Sequence, residues 1–529
     1  MKRSCLYLMI LALVLSCMPF GAMGEEAAST RLVPEGETAT LTVFRPMDAN
    51  LQDYVSDWND TPYCQELERL TGVHVEYISP TMSAATETLN MLLVSGEMPD
   101  IIMDSRLYAG GTYQGVLDGY FLDLAPYLET YAPDYYKIIT SEDAIWREAV
   151  DDSGVVSAFY RIFKTANPSW MRLVLKKELM DQLGETEVPV TVDDWSNLFQ
   201  KMLDAGVTPF MLNATGYDEK FMGAYNIRQD FYQEDGQVKY GQVQQGFYDY
   251  LTLMHDWYAK GYISKDFVSQ SNVDTMFALG EIGTYDKPIV AAYNFGVAEG
   301  YTVLSTPYPR LTEDQFLHWD SYKATLVYKD FDYGVVSVAS TCQQPELAVQ
   351  WLNFLYTDAG MDLANWGIEG LNYEIVDGQR QYLPAMWDYN GISQEGLNYY
   401  FKAHNAATYA DNDTVCHANL LKSPEATAIR LQYDDDPLLD SALYLPNISM
   451  TEEESETKTS IMNDIDTYVD EMVLKFIVGT ESLDQWDAYV STVESMGLEQ
   501  ALCAVQSAYD RYMSVTIQES NRHNAWRER

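Results

Sequence analysis

A strand, a helix and a second strand follow one another between residues 71 and 105, and this unit restricts the fold more than any other segment. The first strand is Val73–Ile78, which alternates and is rich in β-branched residues, and the second is the wholly apolar Ile101–Met103. Apolar residues at helical spacing lie between Ala85 and Leu93, and Gly96 can end that helix. This order predicts a parallel βαβ unit whose sheet is covered on both faces.

The unit extends toward the N-terminus. Thr40–Phe44 is a further predicted strand, and Pro62–Leu70 is a helix with proline in its first turn. Two parallel crossovers in this region indicate the α/β class. Because sheets of this class bind ligands beyond the carboxyl ends of their strands, we expect a binding edge at Asp104 and the loop to Tyr113.

A chain of 529 residues is too long for a single core, and a second set of strands begins after Trp170. Met171–Leu175 and Val207–Leu212 are predicted strands of this second unit, and Gly334–Val338 is a strand of a return segment. The short crossings between the units suit two lobes joined by hinge strands around a central cleft. The expected boundaries are residues 38–160 and 300–390 for lobe 1, residues 161–299 and 391–515 for lobe 2, and residues 516–529 for a C-terminal tail.

The first 24 residues have the layout of an export signal. Two basic residues precede an apolar run from Leu6 to Leu15, which is too short to remain as a membrane-spanning helix. Two processing sites compete, because Cys17 lies where a lipoprotein cysteine would be lipidated and a small-x-small site allows cleavage after Gly24. We expect Cys17 to be the lipid anchor and residues 25–37 to form a flexible tether.

The formal net charge of the chain is −46. A field of this sign disfavours nucleic acid and the anionic face of a membrane as partners, so we expect contact with the membrane through the lipid anchor only. The charge also suggests a ligand that is neutral or cationic overall, although a local basic pocket could override the global field.

Few residues point to catalysis or to a metal. The sequence contains no Gly-x-Ser-x-Gly elbow, no His-Glu-x-x-His motif and no glycine-rich phosphate loop. His404 and His417, with Cys416 adjacent to the second, come nearest to a metal set, but no fourth ligand is evident. The cysteines beyond the signal form neither a disulfide framework nor metal-like pairs; they are Cys64, Cys342, Cys416 and Cys503. We therefore expect no enzymatic activity, no metal and no cofactor.

Six segments carry a resemblance to a known family, and they are Glu66–His74, Leu92–Ile102, Pro189–Trp195, Trp257–Gly261, Asn365–Gly370 and Gln506–Tyr512. In this order they resemble the extracellular solute-binding proteins of bacterial ABC importers, in particular the large lipoproteins associated with complex sugars. The resemblance implies the type II periplasmic-binding-protein fold, with two α/β lobes linked by crossing strands and the solute held in the cleft. It does not name the solute.

Sugar recognition requires aromatic faces for the C–H face of a pyranose ring and planar polar side chains for its hydroxyls. The chain is rich in amphipathic aromatic residues, with 40 Tyr and 11 Trp against 18 Phe. Positions after strands, at the crossings and in glycine-flanked turns single out the expected ligand-binding residues, which are Trp58, Asn59, Tyr63, Asp104, Tyr160, Arg161, Trp170, Arg172, Asp286, Trp366 and Glu369. Alternatives remain for three of them: Trp170 could be a core residue, Glu369 could only hold its own loop, and Asp286 could pair with Lys287 in solvent.

The expected function is the capture of a carbohydrate, preferably an oligosaccharide, outside the cell. A monomeric chain would deliver it to the permease subunits of an ABC transporter. The alternatives are a binding protein for a peptide or another polar solute, a secreted glycoside hydrolase with two carboxylates across the cleft, and a surface adhesin without a transport partner.

Overall fold

The computed structural model describes residues 31–151, 153–165, 170–320, 324–329, 333–410 and 424–517. The predicted export signal with Cys17, the first part of the tether, Cys416, His417 and most of the C-terminal tail lie outside the described residues. In the described part of the chain, no helix has both the length and the apolar character needed to cross a membrane.

The strands are β1 (Ala39–Phe44), β2 (Val73–Ile78), β3 (Ile101–Met103), β4 (Phe159–Phe163), β5 (Met171–Lys176), β6 (Thr208–Met211), β7 (Phe231–Glu234), β8 (Gln237–Tyr240), β9 (Ile282–Pro288), β10 (Val303–Ser305), β11 (Val327–Tyr328), β12 (Val335–Val338), β13 (Tyr373–Val376), β14 (Gln379–Tyr382) and β15 (Tyr409–Ala410). The helices are α1 (Pro62–Thr71), α2 (Ala85–Ser95), α3 (Gly111–Leu117), α4 (Ala125–Tyr131), α5 (Pro133–Ile139), α6 (Asp143–Ala149), α7 (Lys177–Leu183), α8 (Val192–Asp204), α9 (Glu219–Gly223), α10 (Gln245–Lys260), α11 (Val273–Leu279), α12 (Ile289–Glu299), α13 (Pro345–Phe354), α14 (Asp358–Asn365), α15 (Gln394–Phe401), α16 (Pro424–Leu431), α17 (Glu452–Val478), α18 (Trp486–Ser495) and α19 (Leu498–Ser514).

Lobe 1 is built on a seven-stranded sheet in the order β11-β4-β12-β3-β1-β2, with β15 beside β4. β1 is parallel to both β2 and β3, with Ala39 opposite Val73 and Val43 opposite Ile101. The returning strand β12 is antiparallel to β3 and to β4, so that β4 points in the same direction as β3. The predicted βαβαβ arrangement and the α/β class are confirmed, and the carboxyl ends of β1, β3 and β4 lie at one edge.

Lobe 2 is built on a four-stranded sheet in the order β10-β5-β9-β6. β6 and β9 are parallel, with Phe210 opposite Thr284, whereas β5 is antiparallel to both of its neighbours. The carboxyl ends of β6 and β9 therefore meet at one edge of this second sheet. The apolar faces of each sheet are buried in a separate hydrophobic core, which gives the two lobes their independent packing.

Two of the expected lobe boundaries are corrected by these pairings. β10 pairs with β5, so the chain leaves lobe 2 after this strand and not at residue 300. Leu397 and Phe401 of α15 are fully buried in the core of lobe 1, and β15 pairs with β4, so residues 391–410 belong to lobe 1 and not to lobe 2. Strands as short as β11 and β15 carry no readable periodicity, which is why the sequence did not place these crossings.

The long helix α17 begins where a capping box predicts. The Thr451 hydroxyl accepts a hydrogen bond from the Glu454 N–H at 3.3 Å, and the Glu454 carboxylate accepts one from the Thr451 N–H at 2.9 Å. Arg511 of α19 donates to both carboxylate oxygens of Glu454. This ion pair, together with the backbone hydrogen bond from Thr451, lowers the pKa of Glu454 to about 2.

Candidate functional site

A polar cavity of about 490 Å³ lies at the carboxyl ends of β6 and β9, and we call it the lobe 2 cavity. Its lining includes Asn213, which follows β6, and Asp286 and Lys287, which belong to the end of β9. Gln270 and Asn272 add planar amide groups from the segment before α11. Ligands of open α/β sheets bind at such an edge, and this lining offers them hydrogen-bond donors and acceptors.

The charged side chains of the lobe 2 cavity are paired, but not with each other. Lys287 Nζ lies 2.7 Å and 2.6 Å from the two carboxylate oxygens of Asp274, and the Tyr285 hydroxyl donates to the same carboxylate at 2.6 Å. Asp286 instead forms an ion pair with Lys220, and the two side chains are only 9% and 6% exposed. The expected pairing of Asp286 with Lys287 in solvent is therefore wrong.

A second carboxylate, Asp218, lies beneath this cavity at the start of α9. It accepts hydrogen bonds from the Lys220 N–H at 3.0 Å and the Phe221 N–H at 3.1 Å. Burial raises the pKa of Asp218 to about 6; the Lys220 ammonium opposes this shift and the Asp286 carboxylate reinforces it. Asp218, Lys220 and Asp286 thus form a buried cluster, which we call the acidic cluster, with two carboxylates and one ammonium.

The raised pKa of Asp218 predicts a specific pH dependence. A group whose pKa is higher in the folded than in the unfolded chain stabilises the fold below the unfolded pKa, and this stabilisation is lost as pH rises through about 6. Between pH 7 and pH 4.5 we expect the wild type to gain about 2 kcal/mol relative to Asp218→Asn. Urea unfolding of both proteins across this range measures the difference, and this window avoids the acid loss expected from Glu454 at lower pH. Parallel stability curves for the two proteins would contradict the expectation.

Lobe 1 has a smaller cavity of about 230 Å³, the lobe 1 cavity, at the carboxyl end of β4. Trp366 lines it and packs against Tyr382, with ring centroids 5.2 Å apart. The Arg380 guanidinium lies 5.5 Å from the Trp366 ring centroid and donates to Asp362 at 2.6 Å. The structure places predicted residue Trp366 at a cavity, whereas Glu369 is exposed and forms a bridge with Tyr373 within its own turn.

A third cavity, of about 440 Å³, is lined by residues of both lobes, and we call it the interlobe cavity. Arg106 and Tyr160 contribute from lobe 1, and the segment before α17 contributes Met450 from lobe 2. The predicted loop after Asp104 therefore lies at the junction of the lobes. Asp104 itself is fully buried, with a left-handed φ of 70°, and its carboxylate pairs with Arg106 Nε at 2.6 Å. The prediction for Asp104 is corrected, because its side chain holds Arg106 and does not line the cavity.

The two lobes are also joined by a buried hydrogen bond beside the interlobe cavity. The Tyr512 hydroxyl of α19 donates to Glu148 Oε1 of α6 at 3.0 Å, and Lys329 lies 3.7 Å from the other oxygen. Glu148 is only 6% exposed, and this burial raises the pKa of its carboxyl group.

Tyr512→Phe removes the hydroxyl that donates to Glu148 and leaves this buried carboxylate oxygen without a hydrogen-bond donor. We expect a loss of about 1–3 kcal/mol in the free energy of unfolding, measured by denaturant titration. Tyr248→Phe is the control, because its hydroxyl has no hydrogen-bond partner among the described contacts, and it should change stability by less than about 0.5 kcal/mol. Equal effects of the two variants would contradict a stabilising role for the Tyr512 bond.

The residues predicted after β1 belong to the core or to its supporting loop. Trp58 is fully buried, its ring lies 3.6 Å from the Arg45 guanidinium, and its Nε1 donates to the Arg45 carbonyl at 3.2 Å. Tyr63 is buried in the same core, and Asn59 donates through its amide to the Val75 carbonyl at 2.9 Å. The predictions for these three residues are corrected, because the loop after β1 folds back over the sheet and does not open toward a cavity.

The residues predicted at the first crossing have different environments. Tyr160 lines the interlobe cavity, whereas Arg161 donates to Asn405 at 2.6 Å and lines none of the three cavities. Arg172 is 2% exposed, lies 4.2 Å from the Tyr308 ring and lines none of the three cavities, but its Nη1 and Nη2 have no hydrogen-bond partner among the described residues, so its role in the site stays a prediction. Trp170 is 48% exposed, which excludes the core alternative for this residue.

Sequence reasoning missed several residues that line the cavities. Asn213 directly follows a predicted strand, so the rule that selected Asp104 could also have found it. Gln270 and Asp274 reach the lobe 2 cavity from a loop and a helix distant in sequence, and Arg380 reaches the lobe 1 cavity from a hairpin. No local signal could have identified these three.

The fold and the position of the cavities define a class of protein. Two α/β lobes with a returning strand inserted in the first sheet, and polar cavities at the carboxyl ends of the parallel strands, are the architecture of type II periplasmic-binding proteins. The chain therefore has the two-lobed α/β fold of periplasmic solute-binding proteins.

The chain is similar in sequence to two known proteins. No family model matches the chain. It is 22% identical over 508 residues to the fructooligosaccharide ABC transporter substrate-binding protein FusA of Streptococcus pneumoniae, which covers 87% of this chain and 88% of FusA. It is 20% identical over 423 residues to lipoprotein LipO of Bacillus subtilis, which covers 72% of this chain and 78% of LipO.

Two solved structures share the fold over most of their length. A solute-binding protein from Bifidobacterium longum infantis, associated with an ABC transporter and binding human milk oligosaccharides (HMO), superposes with a TM-score of 0.68 at 17% identity, covering 90% of this chain and 99% of that one. An EF-hand mutant of FusA in complex with fructo-nystose superposes with a TM-score of 0.65 at 18% identity, again covering 90% and 99%.

An EF-hand is named for FusA, and the residues of this chain can be compared with those that such a calcium site requires. An EF-hand loop requires the pattern D-x-[DN]-x-[DN]-G, and no stretch of this sequence has it. Over the described ranges, no group of three or more His, Cys, Asp or Glu side chains is arranged to hold a metal ion. His404 pairs with Glu395 at 3.0 Å, and Cys64, Cys342 and Cys503 are free thiols. The residues present do not fit an EF-hand calcium site.

Proposed function

We propose that this protein captures an oligosaccharide outside the cell and delivers it to the permease of an ABC transporter. The observation that carries the proposal is the lobe 2 cavity, where amide and carboxylate side chains converge at the carboxyl ends of two parallel strands. Hydroxyl groups of sugars are recognised by planar side chains of this kind. FusA is named for fructooligosaccharides, and the Bifidobacterium protein is described as binding human milk oligosaccharides.

The proposed binding surface has a wall in each lobe. From lobe 2, Asn213 would donate and accept hydrogen bonds and Asp286 would accept them, and Trp366 lines the cavity of lobe 1. Trp170 is exposed at the crossing between them and offers an aromatic face for a sugar ring. Tyr160 and Arg106 line the interlobe cavity, where a ligand would touch both lobes at once.

Contacts with both lobes would convert binding into a conformational signal. A ligand that touches one lobe only binds the open and the closed states equally and shifts neither population. A ligand held by both walls stabilises the closed state by the difference in contacts, and the permease can recognise that state. We propose that the chain acts as a monomer, that it is exported and that Cys17 carries its lipid anchor.

Native mass spectrometry of the mature chain tests the proposed function. The protein is incubated with neutral and acidic oligosaccharides of defined length, and separately with a pool of short peptides. We expect one intact oligosaccharide per chain, no peptide and no release of reducing ends. Retention of peptides alone would favour the other class of binding protein, and sugar cleavage would contradict a pure binding role.

A further inference from the structure

Four of the five cations that line the three cavities are paired with carboxylates. Lys287 pairs with Asp274 in the lobe 2 cavity, Arg380 pairs with Asp362 in the lobe 1 cavity, and Arg106 pairs with Asp104 in the interlobe cavity. Lys329, also in the interlobe cavity, lies 3.7 Å from Glu148. The remaining lining cation, Lys164, is exposed and lies 5.5 Å from the Tyr409 ring centroid. Among the described residues, no lining arginine is left without a carboxylate to receive an anionic ligand.

The lobe 2 cavity carries an excess of negative charge. Asp274 and Asp286 line it and Asp218 lies beneath, against the ammonium groups of Lys287 and Lys220. One carboxylate oxygen of Asp286, Oδ1, is buried without a hydrogen-bond partner, while the other oxygen pairs with Lys220. The amide oxygens of Asn213, Gln270 and Asn272, which line the same cavity, are acceptors to which ligand hydroxyls can donate.

We infer that the lobe 2 cavity receives an uncharged sugar unit through its hydroxyl donors, so that the protein selects neutral oligosaccharides over acidic ones. This inference rests on the proposed function and specifies the substrate class of the same site. A uronate or sialate carboxylate in this cavity would face Asp286 and Asp274, and the lining cation Lys287 is already paired with Asp274. The net charge of −46 gives the surrounding field the same sign, so the global field does not compensate for the local one.

Isothermal titration calorimetry with matched pairs of ligands tests the inference. Galacto-oligosaccharides are compared with galacturonate oligomers of equal length, and manno-oligosaccharides with mannuronate oligomers, alongside neutral fructo-oligosaccharides. We expect at least one neutral ligand to bind, and acidic counterparts to bind at least about 100-fold more weakly. Tighter binding of the acidic oligomers would overturn the inference and leave the proposed function intact. Absence of binding by every sugar would overturn both.

A single substitution should weaken the preference for neutral over acidic oligosaccharides. Asp274→Asn keeps the shape of the side chain, removes one carboxylate from the lobe 2 cavity and frees the Lys287 ammonium. We expect Asp274→Asn to bind the acidic oligomers at least about tenfold more tightly than the wild type does. Asp256→Asn is the matched control, because it frees Lys260 in the same way on α10, away from the cavities. Equal gains in both variants, or no gain in Asp274→Asn, would contradict a selection made in this cavity.

Discussion

Replacing Lys220 by methionine is expected to lower the free energy of unfolding by about 3–5 kcal/mol. Lys220 is the only cation in the acidic cluster, and its side chain is 6% exposed. Without it, Asp286 and Asp218 would be two buried carboxylates with no opposite charge, and each would have to take up a proton or remain ionised in an apolar environment. Denaturant unfolding at pH 7 measures the loss.

Two further variants make this result specific to the acidic cluster. Lys260→Met breaks an exposed ion pair between Lys260 and Asp256, which lies one turn earlier on the same helix. We expect the free energy of unfolding to change by only about 0.5 kcal/mol or less. Adding Asp286→Asn to Lys220→Met removes one of the stranded carboxylates and should restore part of the stability. If Lys220→Met costs no more than Lys260→Met, the cluster does not stabilise lobe 2 in the way its burial indicates.

Trp58→Ala is expected to cost about 3–5 kcal/mol of stability and to leave the oligosaccharide affinity of the folded protein unchanged. The ring is fully buried, packs edge-on against Tyr333 with centroids 6.2 Å apart and covers the Arg45 guanidinium. Its removal creates a cavity and strips an apolar cover from a buried cation. Thermal unfolding gives the stability, and calorimetry below the transition gives the affinity.

The control for Trp58→Ala is Trp170→Ala. Trp170 is 48% exposed at the crossing between the lobes, so we expect its removal to change stability by less than about 1 kcal/mol. If the side chain covers a sugar ring, as proposed, the affinity should fall instead. If Trp58→Ala instead kept the stability of the wild type and lost oligosaccharide binding, Trp58 would be a ligand-binding residue and not a core residue.

The fold could be predicted from the sequence because the patterns that specify its strands and helices each extend over only a few neighbouring residues. The alternation of Val73–Ile78, the apolar run Ile101–Met103 and the glycine between helix and strand each act over a few residues, and together they require parallel strands with a crossover helix. The crossings were harder to place, since β11 and β15 are only two residues long and their partners lie far away in the sequence.

The candidate site was predicted less well, because position after a strand does not fix the direction of a side chain. Asp104 and Trp58 both follow strand ends, yet Asp104 folds inward to hold Arg106 and Trp58 returns to the core. The pairing of Lys220 with Asp286 joins residues that are 66 positions apart, and no spacing pattern encodes it. Tyr160, Trp366 and Asp286 do line cavities, because in these positions the strand end or the turn also opens toward a concave surface.

Capture of an oligosaccharide between the two lobes is tested most directly by a crystal structure of the mature chain with a tightly bound oligosaccharide. We expect a sugar unit in the lobe 2 cavity with a hydroxyl donating to Asp286, and contacts from the same ligand to lobe 1 near Trp366 or Arg106. An oligosaccharide bound on an outer surface, or one that contacts a single lobe only, would contradict it.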